Sequence, residues 1–327
     1  MTVLGPDEIA LLLPMDAAVA AMRKAFGAHA EGRAQVPARS VLHTGGARGS
    51  TLVMPAALDG ELVVKVVSVF PENRRQGLPA IHGTVLVVDS GTGTPRALLE
   101  GGSLTAIRTA AACGLATDLL ARPESAVLAV FGSGVHARTQ VRASIAVRPI
   151  NEVRIFNPNL RSARAMAAEV ASTAAIPGRI AAVGSPGEAL DGADIACLAT
   201  TSKVPVFDDS DVPDGIHINA IGSFKPGERE VPAQTVARAR VVVDDRDAAL
   251  EEAGDLLMPM SDGLFGEEHI HCDLGGLVLG RCEGRSTKAQ VTFFKSVGLA
   301  IQDVVAAQAV LREARRGGTG RQMTWGI

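Results

Sequence analysis

Buried strands alternate with helical segments through the middle of the chain. The run "AVLAVF" (126–131) is an apolar strand, and the helix-like segment "GVHARTQVRASIA" follows it. The alternation continues to about residue 245 through "EVRIF", "LRSARAMAAEVAS", "RIAAVG", "DIACLAT", "IHINAI" and "ARVVVDD". Strands that alternate with crossover helices predict a parallel sheet with helices on both faces, which is the doubly wound α/β arrangement.

A second α/β region precedes this one. Residues 6–31 are predicted to be helical and divided by Pro14, and several apolar runs between about 36 and 100 are predicted to be strands. The segment "SLTAIRTAAACGLATDLLA" (103–121) predicts a helix that Ser103 can cap.

The end of the chain, "TKAQVTFFKSVGLAIQDVVAAQAVLREARR", predicts a helix that packs back onto the first region. A chain of 327 residues is long enough for two domains. We therefore expect a discontinuous domain of residues 1–120 with 300–327, and a doubly wound domain of residues 121–299.

Composition narrows the class of protein. A net charge of −3 indicates no basic surface for binding nucleic acid. No stretch has the roughly 18 consecutive apolar residues of a membrane span. The N-terminal segment carries Asp7 and Glu8 where a signal peptide has cations. These features predict a cytoplasmic protein with neither a nucleic-acid partner nor a membrane partner.

The cysteines predict neither a disulfide nor a metal site. They show no CxxC pair and no disulfide-like framework, which predicts free thiols: Cys113, Cys197, Cys272 and Cys282. The motif "HIHC" (269–272) has no second pair of ligands at close spacing, so it is predicted to be a polar loop.

A glycine-rich turn follows the first strand of the alternating region. Gly132-Ser133-Gly134-Val135-His136-Ala137 fits GxGxxA between a strand and a helix. Gly132 permits the tight turn, Gly134 lets a pyrophosphate approach the backbone, and Ala137 lets the helix pack closely. The free N–H groups of the helix start face the anion. This motif predicts a dinucleotide site, with His136 on the helix face.

The end of the second strand bears on the choice between NAD and NADP. Asn157 stands where an acid would bind the ribose 2′-hydroxyl, and Arg161 follows. The pattern favours NADP(H) and leaves NAD(H) open. Thr200, Thr201 and Ser202 follow the fourth strand, where their hydroxyls could contact the ribose of the cofactor.

Three cations interrupt apolar surroundings in the first region. They are Arg39 in "VPARSV", Lys65 in "ELVVKVVSVF" and Arg108 in "SLTAIRTAAA". A charge in an apolar element is costly unless it is paired. The three could form structural salt bridges, or Lys65 could snorkel to the surface. Alternatively they bind an anionic substrate, with arginine holding a carboxylate and Lys65 contacting the reacting centre.

Several motifs resemble the ornithine cyclodeaminase/mu-crystallin family. They are "GLPAIHG", "RTAAA", "FGSGVHARTQ", "INAIGS..PGERE", "DDRDAALEEAGDLL" and "FFKSVGLAIQD", and the match covers nearly the whole chain. The resemblance implies a Rossmann domain plus a discontinuous α/β domain that binds substrate and makes the contact of a homodimer.

The resemblance also implies roles for single residues. Arg39, Lys65 and Arg108 would bind the substrate carboxylate, with Lys65 and Arg108 as the catalytic pair. Further members of the site would be His82 and Asp273 near the substrate, and Ser223 and Ser296 at the cofactor.

Family members perform related but different reactions. Ornithine cyclodeaminases and alanine dehydrogenases carry a catalytic aspartate two residues after the glycine that ends a strand. Counting from Gly222, that position is Phe224 in this chain. Oxidative deamination needs a base to remove the proton of an ammonium, and a positioned base contributes about a hundredfold to ten-thousandfold. Phe224 cannot serve as one.

Reduction of a protonated cyclic imine is less demanding, and Lys65 or a water could supply the proton. Phe224 could form an apolar wall for the ring. The sequence therefore favours an NAD(P)H-dependent reductase of cyclic imino acids, such as pyrroline-2-carboxylate or piperideine-2-carboxylate. Three alternatives stay open: a cyclodeaminase or alanine dehydrogenase, a non-catalytic NADP-dependent binder like mu-crystallin, or a packing role for Phe224 with Asp273 as the acid.

Overall fold

The computed structural model describes residues 1–44, 49–173 and 176–324. Residues 45–48 of the expected β-rich region and the last three residues of the expected first domain lie outside this part. The chain divides into two compact units. Unit 1 comprises Met1–Thr109 with Leu299–Ile327, and unit 2 comprises Ala110–Gly298.

Unit 1 is built on a seven-stranded sheet, with strands numbered along the chain. Its strands are β1 (Thr2–Leu4), β2 (Ser40–Thr44), β3 (Gly49–Leu58), β4 (Glu61–Val69), β5 (Ile81–Asp89), β6 (Pro95–Glu100) and β15 (Arg321–Gln322). Their order is β15-β1-β6-β5-β4-β3-β2. The neighbours are antiparallel except for the parallel pair β1 and β6.

Helices pack on one face of this sheet. The helices that supply residues to unit 1 are α1 (Pro6–Leu12), α2 (Met15–Ala30), α3 (Gly101–Leu120) and α11 (Ala300–Gly317). Helix α11 packs on α2, β3 and β4, so the end of the chain returns to the first unit, as expected. Because side chains alternate along a strand, the residues buried under the helices fall at alternate positions, including Met54, Val85 and Leu99.

Helix α3 begins two residues before the predicted cap. It starts at Gly101, and the Glu100 carboxylate accepts hydrogen bonds from the N–H groups of Gly102 (2.6 Å) and Ser103 (2.7 Å). Glu100, rather than Ser103, therefore satisfies the free donors of the helix start. The helix continues past Thr109, and the compact units and the expected domains differ over residues 110–120 and at Leu299.

Unit 2 has the predicted doubly wound architecture. Its strands are β7 (Val127–Phe131), β8 (Glu152–Phe156), β9 (Arg179–Ala182), β10 (Ile195–Leu198), β11 (His217–Ala220), β12 (Arg240–Val243), β13 (Ile270–Asp273) and β14 (Thr292–Lys295). They form an eight-stranded sheet in the order β13-β12-β14-β11-β10-β7-β8-β9. All neighbouring strands are parallel.

Helices and short turns connect the strands of unit 2. The helices are α4 (Val135–Val147), α5 (Leu160–Thr173), α6 (Pro186–Leu190), α7 (Ala233–Arg238), α8 (Arg246–Glu252), α9 (Gly254–Ser261) and α10 (Leu274–Val278). One hydrophobic core lies on each face of the sheet. Strand β7, the first in this unit, lies between β8 and β10, and such a reversal of strand order opens a ligand crevice at the carboxyl ends.

The prediction of a continuous helix over residues 287–316 is wrong in its first part. Thr292–Lys295 forms β14, which lies between β11 and β12. All four of its residues are buried. A strand covered on both faces has no polar alternation, so its apolar run could not be told from a buried helix.

Two expectations about the segment 269–282 are also wrong. Its first part is strand β13, where a polar loop was predicted. Cys272 forms a disulfide with Cys282, whereas all four cysteines were expected to be free. Cys113 and Cys197 are free and buried, as predicted. A spacing of ten residues does not identify a disulfide, because the pairing depends on how the intervening α10 turns the chain back.

No helix in the described part of the chain has both the length and the hydropathy that crossing a membrane requires.

Candidate active site

The glycine-rich turn of unit 2 leaves room for a ligand at the start of α4. Gly132 has a φ of 104°, and a Cβ there would lie 2.5 Å from the carbonyl oxygen of Ala199. A Cβ on Gly134 would meet no atom within 4 Å. No side chain caps α4 at Gly134, so its first N–H groups are available to an anion. The turn therefore fits the pyrophosphate of a dinucleotide.

The side chain of Asn157 connects the end of β8 to the glycine-rich turn. Its Nδ2 donates to Ser133 Oγ (2.9 Å), and its Oδ1 accepts from the N–H of Asn159 (2.8 Å). Arg161 is exposed at the start of α5, and it has no hydrogen bond or ion pair within the described residues. An amide and an unpaired guanidinium suit a ribose phosphate better than a carboxylate would.

The hydroxyl residues after β10 are largely engaged in their own loop. Thr200 Oγ1 donates to Glu230 (2.6 Å) and accepts from the N–H of Ser202 (3.0 Å). Ser202 Oγ donates to the carbonyl oxygen of Val204 (2.6 Å), while Thr201 is exposed. Thr201 is therefore the one of the three whose side chain stays open to a ligand.

Glu230 joins the loops that follow β10 and β11, and the sequence reasoning assigned it no role. Its Oε1 accepts from the N–H (2.9 Å) and hydroxyl of Thr200, and its Oε2 accepts from the N–H groups of Gly222 (2.6 Å) and Ser223 (3.2 Å). Burial raises the pKa of Glu230, although the nearby Lys295 ammonium and the donors from Thr200 favour its ionised form. This carboxylate fixes the backbone immediately before Phe224.

A buried ion pair supports the same loop. Lys295 Nζ, at the end of β14, donates to Asp255 Oδ2 (2.7 Å), to Ser223 Oγ (2.9 Å) and to the Ser223 carbonyl (2.7 Å). Burial opposes ionisation of Asp255, but the Lys295 charge and the hydrogen bonds from Lys295, Ser223 and the Val231 N–H together outweigh it, so the pKa of Asp255 lies below its ordinary value. Ser223 is itself buried, so its side chain supports the loop from within.

Ser296 is likewise bound inside the protein. Its Oγ donates to Asp244 Oδ2 (2.7 Å), which also accepts from the N–H groups of Val297 (2.9 Å) and Gly298 (2.7 Å). Burial raises the pKa of Asp244. Asp244 therefore fixes the segment that ends unit 2, and Ser296 presents little free surface.

Phe224 stands on the outside of this network. Its side chain is 39% exposed, although Ser223 beside it is buried. The Lys225 ammonium lies 6.0 Å from the centroid of its ring. The rigid backbone of residues 222 and 223 thus presents an apolar ring, rather than a carboxylate, at the carboxyl end of the sheet.

In unit 1, Lys65 and Arg108 share one buried carboxylate. Lys65 Nζ donates to Asp303 Oδ2 (2.6 Å), and Arg108 Nε donates to Asp303 Oδ1 (3.2 Å). Arg108 Nη1 also donates to Gln302 Oε1 (2.6 Å). Two cations against one carboxylate leave a net charge of +1 in a buried cluster. Burial, and secondly the Arg108 charge, lower the pKa of Lys65 to about 8.

The other predicted substrate residues are placed differently. Arg39 immediately precedes β2, and its charge also lowers the pKa of Lys65, so it belongs to the same electrostatic environment. His82 is exposed on the opposite face of the sheet, because Lys65 pairs with Val85 and side chains alternate. Asp273 lies in unit 2, where its Oδ1 accepts from the N–H of Gly276 (2.7 Å) and caps α10.

Sequence reasoning missed Gln302 and Asp303, which are fully buried in α11. A signal was present, because this polar pair interrupts the apolar run "GLAIQDVVAA". A carboxylate buried inside a helix requires a cationic partner, and Lys65 and Arg108 were two buried cations that still lacked an anionic partner.

The two sites define the class of protein: a dinucleotide-binding doubly wound unit joined to an α/β unit with a buried cation cluster. The chain matches the ornithine cyclodeaminase/mu-crystallin family over residues 2–318, and it belongs to that family.

Individual relatives are similar over nearly the whole chain. A Delta(1)-pyrroline-2-carboxylate reductase of Bacillus cereus is 37% identical over 326 residues, covering 99% of each chain. The solved structure of the Thermococcus litoralis enzyme of that name, in complex with NADH and L-proline, superposes with a TM-score of 0.95 at 37% identity. It covers 99% of this chain and 100% of its own. An archaeal alanine dehydrogenase dimer with bound NAD gives a TM-score of 0.92 at 32% identity, covering 100% of this chain and 99% of its own.

The position of Arg161 leads to a test of cofactor preference. We expect Arg161→Ala to raise the Michaelis constant for NADPH about tenfold, the value of one charge-assisted hydrogen bond, and to leave that for NADH unchanged. The measurement is steady-state kinetics with each cofactor. Arg164→Ala, an exposed arginine on the same helix, is the matched control and should change neither constant. An equal effect of Arg161→Ala on both cofactors would contradict the assignment.

Proposed function

We propose that this protein is an NAD(P)H-dependent reductase of cyclic imino acids, such as pyrroline-2-carboxylate or piperideine-2-carboxylate, and that it forms the cyclic amino acid. The observation that carries the proposal is the buried cluster of Lys65, Arg108 and Asp303. Its net positive charge suits the carboxylate of such a substrate. The similarity to pyrroline-2-carboxylate reductases supports the same reaction class.

Arg108 is the proposed anchor for the substrate carboxylate. Its Nε and Nη1 are held by Asp303 and Gln302, whereas its Nη2 has no hydrogen-bond partner among the described residues. The guanidinium is thus fixed in orientation with one edge open. Arg39 adds a second positive charge, and we assign it to the same carboxylate. His82 and Asp273 are not assigned to this carboxylate, because His82 lies on the opposite face of the sheet and Asp273 caps α10 in unit 2.

Lys65 is the proposed proton donor to the imine nitrogen. With a pKa of about 8 it is mostly an ammonium at neutral pH, yet it releases a proton far more readily than an exposed lysine does. The hydrogen bond to Asp303 fixes the direction of Nζ. Together, Lys65 and Arg108 form the catalytic pair.

Unit 2 is the proposed cofactor domain, and a bound NAD(P)H would supply the hydride. The glycine-rich turn would hold the pyrophosphate, and Asn157 with Arg161 would favour a 2′-phosphate, hence NADP(H) over NAD(H). The proposed cofactor residues are Gly132, Ser133, Gly134, Val135, His136, Ala137, Asn157, Arg161, Thr200, Thr201, Ser202, Ser223 and Ser296. A reductase of this kind works where reduced cofactor is plentiful, and we therefore assign it to the cytoplasm.

Phe224 separates this reaction from amino-acid deamination. Deamination begins from an ammonium that must lose a proton, and the phenylalanine ring offers no base. A ring carbon surface favours the methylenes of a cyclic substrate instead. The intact cation cluster argues equally against a binder without turnover, because such a role needs no lysine of lowered pKa.

A cofactor-oxidation screen tests the proposed reaction. Purified protein with NADPH or NADH should oxidise the cofactor with pyrroline-2-carboxylate or piperideine-2-carboxylate, at rates at least a hundredfold above those with pyruvate and ammonia, because Phe224 supplies no base. In the reverse direction, L-ornithine should release no ammonia. Ammonia release from ornithine at a comparable rate would contradict the proposal, as would the absence of turnover on every imine.

We also propose that unit 1 forms a homodimer through the face of its sheet that its helices leave uncovered. Every residue on that face of β4 and β5, and of β3 from Thr51 to Ala57, is at least partly exposed, and the apolar ones include Val64, Val66 and Leu86. A contiguous apolar patch on the surface of a protein often marks a protein–protein interface. The related alanine dehydrogenase is a dimer, which is consistent with this arrangement.

The mass in solution tests the dimer. Light scattering should give twice the chain mass of 33.7 kDa. Val66→Asp, which places a charge on the centre of the uncovered face, should shift the protein to the monomer. Leu11→Asp is the control, since Leu11 is 77% exposed on α1, and it should leave the dimer intact. A monomeric wild-type protein at micromolar concentration would refute the proposal.

A further inference from the structure

Strand β13 of unit 2 carries an irregularity at His271. Val241 on β12 pairs with Ile270, whereas Val242 pairs with Cys272, so His271 is the extra residue of a bulge. Neighbours in a regular strand point to opposite faces, and a bulge redirects the side chain of the extra residue. His271 and Cys272 can therefore share one side of the strand, although they are adjacent in sequence.

The chain then brings a third ligand to the same place. After α10, Gly280 adopts a φ of 66° and Cys282 returns to Cys272, with 6.7 Å between the two Cα atoms. One ligand atom from each of His271, Cys272 and Cys282 lies within 4.8 Å of the others. His271 is exposed and both cysteines are half-buried, so solvent reaches the group.

The hydrogen bond of His271 determines its tautomer. Its Nε2 lies 2.9 Å from the carbonyl oxygen of Glu283. A carbonyl oxygen only accepts, so Nε2 carries the proton and Nδ1 keeps a free lone pair. A histidine whose second nitrogen donates to a carbonyl is the arrangement that orients a metal-binding imidazole.

We propose that His271, Cys272 and Cys282 form a binding site for a zinc-class divalent cation when the disulfide is reduced. Two thiolates and one imidazole are the donors that Zn²⁺ prefers, and solvent would complete the tetrahedron. Tetrahedral coordination needs the two sulfurs roughly 3.8 Å apart. Rotation about the Cα–Cβ bonds provides this separation, because the Cα atoms are already at a suitable distance.

The disulfide and the cation exclude each other. A dithiol reductant gives two electrons and two protons to the disulfide, which becomes two thiols, and the reductant becomes a disulfide. The cation then displaces the two thiol protons and binds both sulfurs. The same pair of cysteines therefore either bond to each other or hold the cation, and the state is set by the redox conditions.

The remaining cysteines are unsuited to this chemistry. Cys113 and Cys197 are fully buried, and burial raises the pKa of both thiols, to about 11 for Cys197. Within the described part of the chain, only the pair on β13 and after α10 combines solvent access with a histidine. The site encloses α10 and Asp273, so the state of the cysteines determines what ties this short helix to the sheet.

Zinc binding by the reduced and the oxidised protein tests the proposal without any substitution. Full-length protein is treated with a phosphine reductant, freed of reagent under argon, and titrated with Zn²⁺ in competition with a chromogenic chelator. We expect one Zn²⁺ per chain in the reduced protein and none in the oxidised protein. Cobalt in place of zinc should give thiolate charge-transfer absorption. A reduced protein that takes up no zinc would refute the site.

Single substitutions locate the ligands. Cys282→Ser should weaken zinc binding at least a hundredfold, and His271→Gln at least tenfold. The control is His269→Gln in the same segment, because His269 Nε2 bonds the carbonyl oxygen of Val236 and lies outside the group. Wild-type affinity in Cys282→Ser would overturn the proposal. These measurements do not depend on the proposed reductase activity.

Discussion

The carboxylate of Asp303 is the interaction on which the proposed substrate site depends. It is fully buried, and it accepts hydrogen bonds from Lys65 and Arg108, which lie 238 and 195 residues earlier in the chain. Removing one partner of a buried ion pair typically costs about 3–5 kcal/mol, because a charge is left uncompensated. The same contacts join the N-terminal and C-terminal segments of unit 1 and fix the orientation of both cations. Because two cations share one carboxylate, the cluster keeps a net charge of +1. The stability of unit 1 and its proposed recognition of the substrate therefore rest on one side chain.

Much of the fold could be predicted from local pattern. The alternation of strands and helices in residues 126–245 predicted the parallel sheet of unit 2, and the glycine-rich motif predicted where the chain turns at Gly132. The strand Thr292–Lys295 could not be predicted, since it is buried on both faces and carries no periodicity. The Cys272–Cys282 disulfide could not be predicted either, because the pairing of cysteines depends on tertiary structure rather than on their spacing in sequence.

The site was only partly predictable. Lys65 and Arg108 could be identified because a charge in an apolar element needs a reason, and the structure places them together. Asp303 and Glu230 were missed because their partners are distant in sequence or are backbone N–H groups, which no side-chain pattern reveals. His82 was expected near the substrate, but the strand register places it on the face of the sheet opposite Lys65.

The central claim is that Lys65, held by Asp303, donates the proton during imine reduction, and the pH dependence of kcat/KM tests it most directly. In the wild-type protein, kcat/KM for a cyclic imino acid should be level below pH 8, where Lys65 is protonated, and should fall tenfold per pH unit above it. Lys65→Arg keeps the positive charge but does not titrate in this range, so its lower kcat/KM should be level to pH 10. A wild-type profile that stays level to pH 10, or the same decline in Lys65→Arg, would contradict the account.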